Sequence, residues 1–307
     1  MIAELVGRLR QGDRNALARL VSHAARGEHL TELQRALTPS LTPARVVAVT
    51  GSGGVGKSSL IGKLISVLRS QNHRVAVLAC DPQSPLSGGA LLGDRFRMGS
   101  TTDDGVFIRS LAALTGHGAV ADHLDVVIRL CEKFGFDVVI LETVGSGQGD
   151  VEVRNLADVV VLLVQPESGD DVQWEKAGIL ECADVVVVHK ADLPTAEQTA
   201  AQVRAALDLS PGRDVPVLRV STKANQGHAE LWQAIVALPL RRRQPSPACM
   251  LMQSLSDILS AQFREKESAP ELAKLAEAWQ RGEITEAEAV EKLVRILLMH
   301  QPDEPEA

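Results

Sequence analysis

The sequence predicts an α/β fold, a mostly parallel central sheet flanked by helices, with helical extensions before and after it. Three observations carry that prediction. Short apolar runs, many of them β-branched, recur through the middle of the chain at 46–49, 74–80, 137–141, 159–164, 185–188 and 215–220. Continuous apolarity is what a strand covered on both faces requires. Helical patterns lie between these runs, the alternation expected of parallel strands joined by crossovers. The first run also opens directly into a glycine-rich turn followed by a helical pattern.

Composition narrows the class. Of 307 residues, 45% are apolar, which is ample for a core, while aromatics make up only 3% and tyrosine is missing. The core must therefore be built from Val, Leu, Ile and Ala. The formal charge of −7 is spread along the chain rather than blocked. That argues against nucleic acid as a partner, because such binding needs a basic footprint. The one basic run, Arg241-Arg242-Arg243, reads as a solvated linker. Cys80, Cys131, Cys182 and Cys249 lie far apart, with neither zinc-ligand spacing nor a disulfide framework. Met1-Ile2-Ala3-Glu4-Leu5 lacks the flank and apolar run of a signal peptide. No stretch reaches the ~18–20 apolar residues that span a bilayer. The expectation is a soluble, cytoplasmic protein with no membrane partner.

Taken in order, residues 1–44 read as a helical extension. Leu5, Leu9, Ala16, Leu17 and Leu20 recur at helical spacing, Asp13 is placed to cap, and Pro39 and Pro43 end the pattern. The nucleotide-binding domain is expected over 45–240. Its first strand meets Gly51-Ser52-Gly53-Gly54-Val55-Gly56-Lys57-Ser58, which fits G-x-x-x-x-G-K-[ST] at every fixed position. Glycines there let backbone N–H groups turn inward around phosphate oxygens, and the helix from Lys57 to about Arg69 adds its positive dipole end. Lys57 is expected to reach the β/γ-phosphates and the Ser58 hydroxyl to bind Mg²⁺, with Ser59 next to them. This pattern defines a P-loop and predicts that the chain binds a nucleoside triphosphate.

Further candidates fall at the carboxyl ends of the later strands, where open α/β sheets bind ligands. Run 74–80 ends at Asp81-Pro82, so Asp81 is a metal candidate or the cap of the next loop. The segment Ser87-Gly88-Gly89-Ala90-Leu91-Leu92-Gly93-Asp94-Arg95 reads by itself only as a mobile loop. After an amphipathic helix at 122–131, run 137–141 delivers Glu142 in a Walker-B position, where it would polarise a Mg²⁺-bound water. Gly145 just beyond can offer its N–H to the γ-phosphate. Run 159–164 leads into a polar loop and then a helix to about Cys182. Run 185–188 leads into His189-Lys190-Ala191-Asp192, and run 215–220 into Ser221-Thr222-Lys223. These last two resemble guanine-reading loops. The Asp192 carboxylate can accept from guanine N1–H and its exocyclic amine, Lys190 can cover the ring with its alkyl stem, and the 221–223 turn can offer an N–H to O6. Residues 241–300 read as appended helices that pack on the core or pair two copies, and 301–307 as a disordered tail.

Together, Gly51–Ser58, Asp81-Pro82, Gly88-Gly89-Ala90-Leu91-Leu92-Gly93-Asp94 and Glu142-Thr143-Val144-Gly145-x-Gly147-Gln148 resemble the MeaB/ArgK family of GTPases. These are accessory proteins of methylmalonyl-CoA mutase and related adenosylcobalamin-dependent acyl-CoA mutases. Segments 49–54 and 106–112 also resemble the G-domain fused inside isobutyryl-CoA mutase, so the client can be a mutase other than the methylmalonyl one. The resemblance implies a homodimeric G protein that binds GTP/GDP and Mg²⁺, while adenosylcobalamin belongs to the partner mutase. GTP hydrolysis would gate cofactor loading and protect or rescue the mutase. It implies Lys57, Glu142 and Gln148 as catalytic residues, and Ser58, Asp81, Asp94 and Glu142 as the metal shell. Segments 142–150 and 166–173 become switches. Intrinsic turnover should be slow, since no arginine finger can be assigned. One position departs from the family: its base-reading motif is Asn-Lys-x-Asp, and here the first residue is His189. Two alternatives share the P-loop. A nickel-delivery maturation GTPase predicts a histidine-rich cluster, and a P-loop kinase predicts an acceptor pocket with a base.

Overall fold

The computed structural model describes residues 1–37, 43–82, 103–113, 121, 123–143, 150–166, 179–208, 214–241 and 269–298, with a few positions between 252 and 263. The chain divides into two compact units, Met1–Arg243 and Gln244–Ala307. In the first unit the order is α1 (Ile2–Arg10), α2 (Arg14–Ala25), α3 (Leu30–Ala36), β1 (Arg45–Gly51), α4 (Lys57–Ser70), β2 (Val75–Pro82) and β3 (Val106–Ala113). It continues with α5 (Leu124–Phe134), β4 (Val138–Glu142), α6 (Asp150–Leu156), β5 (Val159–Val164) and α7 (Ile179–Cys182). The unit closes with β6 (Val185–His189), α8 (Ala196–Asp208), β7 (Val217–Val220) and α9 (His228–Ala237). The second unit contains α10 (Pro270–Gln280) and α11 (Glu286–Leu298), which pack on each other. Thr285 and Glu288 close a reciprocal capping box at the start of α11.

Among the described residues, seven strands form one sheet in the order β3-β2-β4-β1-β5-β6-β7, and each strand pairing is parallel. Alternation along each strand decides the layers. Val47 and Val49 of β1 face α4 and α9 with Leu60, Leu64, Leu231 and Ile235. Val46 and Ala48 face the other way, onto a core that takes in Leu17 and Leu20 of α2 and Val127 and Leu130 of α5. The amino-terminal helices thus share a core with the sheet. Asp13 caps α2 by accepting from the N–H groups of Asn15 and Ala16.

Strand β3 is one that the apolar runs do not announce. Arg109 and Ser110 interrupt it, because among the described strands β3 is at the edge with β2 as its one neighbour. Only Phe107 and Leu111, two pleats apart, turn into the core beneath α2. That edge is covered rather than left open: Arg14 donates to the carbonyls of Asp104 (2.7 Å) and Val106 (2.5 Å), and Arg109 donates to Ser22 Oγ (2.7 Å).

The amino-terminal edge of the sheet carries a repeated device. Asp137, Asp158 and Asp184 each precede a Val-Val pair that opens a strand. Each carboxylate accepts a backbone N–H at the start of the neighbouring strand, from Arg74 (2.7 Å), Val46 (2.8 Å) and Val160 (2.9 Å) respectively. These bonds satisfy donors that the ladder leaves open and pin the register of β2, β1 and β5. Arg241 is not part of a solvated linker. Its N–H donates to Asp158 Oδ1 (3.1 Å) and its guanidinium bonds Asp184, whose carboxylate also lies 3.8 Å from Arg154. Asp184→Ala removes the acceptor for the Arg241 guanidinium and one buried N–H, and the ion-pair partner of Arg154. It should lower unfolding free energy by about 3 kcal/mol, read by urea denaturation.

Candidate functional site

Because all strands run parallel, the ends of β1, β2, β4, β6 and β7 lie on one edge, and the site is built there. The β1 end is set by close packing. Gly51 has φ of 142°, and a Cβ on it would come within 2.5 Å of the Leu163 carbonyl on β5. Beyond it, the chain turns and enters α4 through Gly56, at φ of 101°. Lys57 Nζ donates to the carbonyls of Gly51 (2.8 Å) and Ser52 (3.2 Å), folding the ammonium back over the loop. Gly53, Gly54, Val55, Ser58 and Ser59 complete the turn and the first residues of the helix, with Ser59 facing out.

Glu142 ends β4 in register with Val49 on one side and Ala79 on the other. Its Oε1 accepts from Ser58 Oγ at 2.6 Å, and both side chains are buried. A hydroxyl and a carboxylate touching at the foot of the loop form a hard oxygen donor set, which suits Mg²⁺. Thr143 fastens the start of the next segment to β1, donating through its hydroxyl to Thr50 Oγ1 (3.0 Å) and through its N–H to Val49 O (3.2 Å). Asp94, Gly145 and Gln148 lie outside the described residues, as does the side chain of Asp81.

The loops after β6 and β7, expected to read the base, meet beside the P-loop. Ser221 Oγ donates to Asp192 Oδ1 at 2.6 Å, and Lys223 Nζ lies 4.0 Å from Oδ2. Led by the Ser221 hydrogen bond, these contacts hold the Asp192 carboxyl below the usual carboxylate range, so it is an anion and an acceptor at neutral pH. Lys190 Nζ donates to Gln165 Oε1 at 2.7 Å, which fixes the lysine stem across the end of β5. His189 is 3% exposed and makes contact with the protein through both ring nitrogens, Nδ1 to Val55 O (2.7 Å) and Nε2 to Thr222 Oγ1 (2.9 Å). It braces the two loops against the P-loop. Burial, above all, pushes its pKa down.

Sequence reasoning missed Thr50 and Gln165, both within a strand or at its end and without a motif of their own. Only the position at a strand's carboxyl end marks them. It did find the residues the structure brings together: Gly51 to Ser58 with Glu142 in one cluster, and His189, Lys190, Asp192, Ser221, Thr222 and Lys223 in the adjoining one.

A glycine loop entering a helix with a buried acid on the neighbouring strand, at the carboxyl edge of a parallel sheet, defines a P-loop nucleoside triphosphatase. The sequence profile of the family described as methylmalonyl Co-A mutase-associated GTPase MeaB matches residues 16–241. A Pyrococcus abyssi protein named as a GTPase is 43% identical over 243 residues, covering 76% of this chain and 75% of that one. Another relative, a fused isobutyryl-CoA mutase of Nocardia farcinica, is 43% identical over 186 residues, 58% of this chain but 17% of its own length. The mouse methylmalonic aciduria type A homolog is 38% identical over 197 residues, 62% of this chain and 48% of that one. A crystal structure titled LAO/AO transport system kinase shares the fold, with a TM-score of 0.62 at 23% identity over 96% of this chain and 97% of its own. The chain belongs to the MeaB family, and it is a GTPase.

Gly56→Ala tests the packing at the P-loop. A Cβ there would lie 2.5–2.6 Å from ring atoms of His189, at a φ that L-residues avoid. Guanine-nucleotide affinity should fall at least ~10-fold, about 1.4 kcal/mol, in a fluorescent-GDP titration.

Proposed function

We propose that this GTPase gates adenosylcobalamin loading of an acyl-CoA mutase and protects or reactivates that enzyme. The client is methylmalonyl-CoA mutase or a relative such as isobutyryl- or hydroxyisobutyryl-CoA mutase. The observation that carries the reading is the family match over 16–241. A relative named as a fused isobutyryl-CoA mutase supports it, since fusion places a domain of this kind beside a mutase. Adenosylcobalamin then enters only through the partner.

Within the site, Asp192 accepts from the guanine edge and Lys190 lies on the ring. Lys57 and the P-loop N–H groups hold the phosphates. Ser58 and Glu142 would hold Mg²⁺, with Asp81 and Asp94 completing the shell; the ion supplies charge neutralisation of the phosphates. Gln148 orients the attacking water, and Gly145 reports the γ-phosphate to the 142–150 switch, as 166–173 does in parallel. The appended region 241–300 is the dimerising part. The buried free thiols of Cys80, Cys131 and Cys182 support a reducing compartment, the cytoplasm.

Hydrolysis of GTP and ATP by the full chain, alone and with the acyl-CoA mutase of its own organism, tests the reading. The expected result is slow GTP turnover that the mutase accelerates. Asp192→Asn should narrow the preference for GTP over ATP by ~10-fold or more, because a paired polar contact to the base is lost. An unresponsive GTPase would leave the mutase partnership without support.

A further inference from the structure

His189 occupies the place where the base-reading motif of this family carries asparagine, and its two contacts dictate its protonation. The Val55 carbonyl only accepts, so Nδ1, 2.7 Å away, carries the proton and donates. Nε2 is then the acceptor, and the Thr222 hydroxyl at 2.9 Å donates to it. The Cε1–Nδ1 edge of the same ring comes up against Gly56, leaving no room for a Cβ. One imidazole therefore joins three segments: the P-loop, the end of β6 and the turn after β7.

We propose that His189, held as its neutral Nδ1–H tautomer, is the positioning residue that locks the guanine-reading loops to the P-loop, so that guanine-nucleotide binding weakens on acidification. The proposal rests on the guanine reading of the site and deepens it. A second proton makes Nε2 a donor. The Thr222 hydroxyl must then turn its lone pair inward, and a charge appears on a ring with almost no access to water. Asparagine in the same place offers one donor and one acceptor and does not titrate.

The groups around the ring decide the direction. From its own loop, Lys190 opposes the charge and Asp192 favours it, with Lys223 already drawn to Asp192. From α9, His228 is 5% exposed, and its Nε2 has no hydrogen-bond partner among the described residues. Burial, then Lys63 of α4, then His189 push His228 down too, against the pull of Glu230. From the P-loop, Lys57 is turned to the Gly51 and Ser52 carbonyls. Burial dominates at His189, so its folded value lies below the ordinary one of about 6.5. Between those two values the unfolded or released loop binds more protons than the braced one. The brace is complete above about pH 6.5 and is lost as pH falls through and below it.

The test is the affinity of the full chain for a fluorescent GDP derivative from about pH 5.5 to about pH 8, beside His189→Asn. The nucleotide's own phosphate titration acts equally on both proteins and cancels in the comparison. The parent should lose several-fold more affinity than His189→Asn between the ends of that range. Superposed profiles overturn the brace while leaving the guanine reading intact. No guanine-nucleotide binding by either protein at any pH overturns both. Should His189→Asn fail to fold, ¹⁵N-histidine NMR of the parent decides. A neutral Nδ1–H ring near pH 7 supports the proposal, and an Nε2–H or doubly protonated ring overturns it.

Discussion

Parallel strand direction is the constraint on which the rest of this protein depends. With every described strand running the same way, all carboxyl ends meet at one edge and all amino ends at the other. Residues more than a hundred positions apart in sequence, such as Ser58 and Ser221, are brought to the same edge by that fact alone. The close approach of Gly51 to the Leu163 carbonyl then sets where β1 ends, and therefore where the P-loop begins.

The two edges are built on different principles. At the amino edge, Asp137, Asp158 and Asp184 hold neighbouring strands in register, and Arg241 is drawn in between two of them. At the carboxyl edge the acids are held near hydroxyls instead, Glu142 by Ser58 and Asp192 by Ser221. A neutral hydroxyl orients a carboxylate without cancelling its charge, which leaves it able to serve a cation or a base edge. Rigid strand starts and charged strand ends are complementary, because the catalytic edge is only as well positioned as the register behind it.

His189 links these ideas. Its ring takes the place of a smaller, uncharged amide and satisfies a carbonyl and a hydroxyl at once, but only in one tautomer and one protonation state. Gly56 is its steric counterpart, so the motif glycine serves the brace as well as the phosphate turn.

The sequence alone determined the α/β class, the P-loop and the acids at strand ends. These are local matters: apolar runs, glycine spacing and the residue that follows a strand can be read without knowing neighbours. Asp13 as a cap and Gly51–Ser58 as a turn were legible for the same reason. Edge strand β3 was not, since Arg109 and Ser110 break its apolar run and Arg109 is spent on Ser22 of a distant helix. Nor was Arg241, a basic residue in a basic run until Asp158 and Asp184 meet it across the fold. What His189 does was likewise decided only in three dimensions, because the carbonyl and hydroxyl that fix its tautomer come from Val55 and Thr222, segments that the sequence separates and the parallel sheet joins.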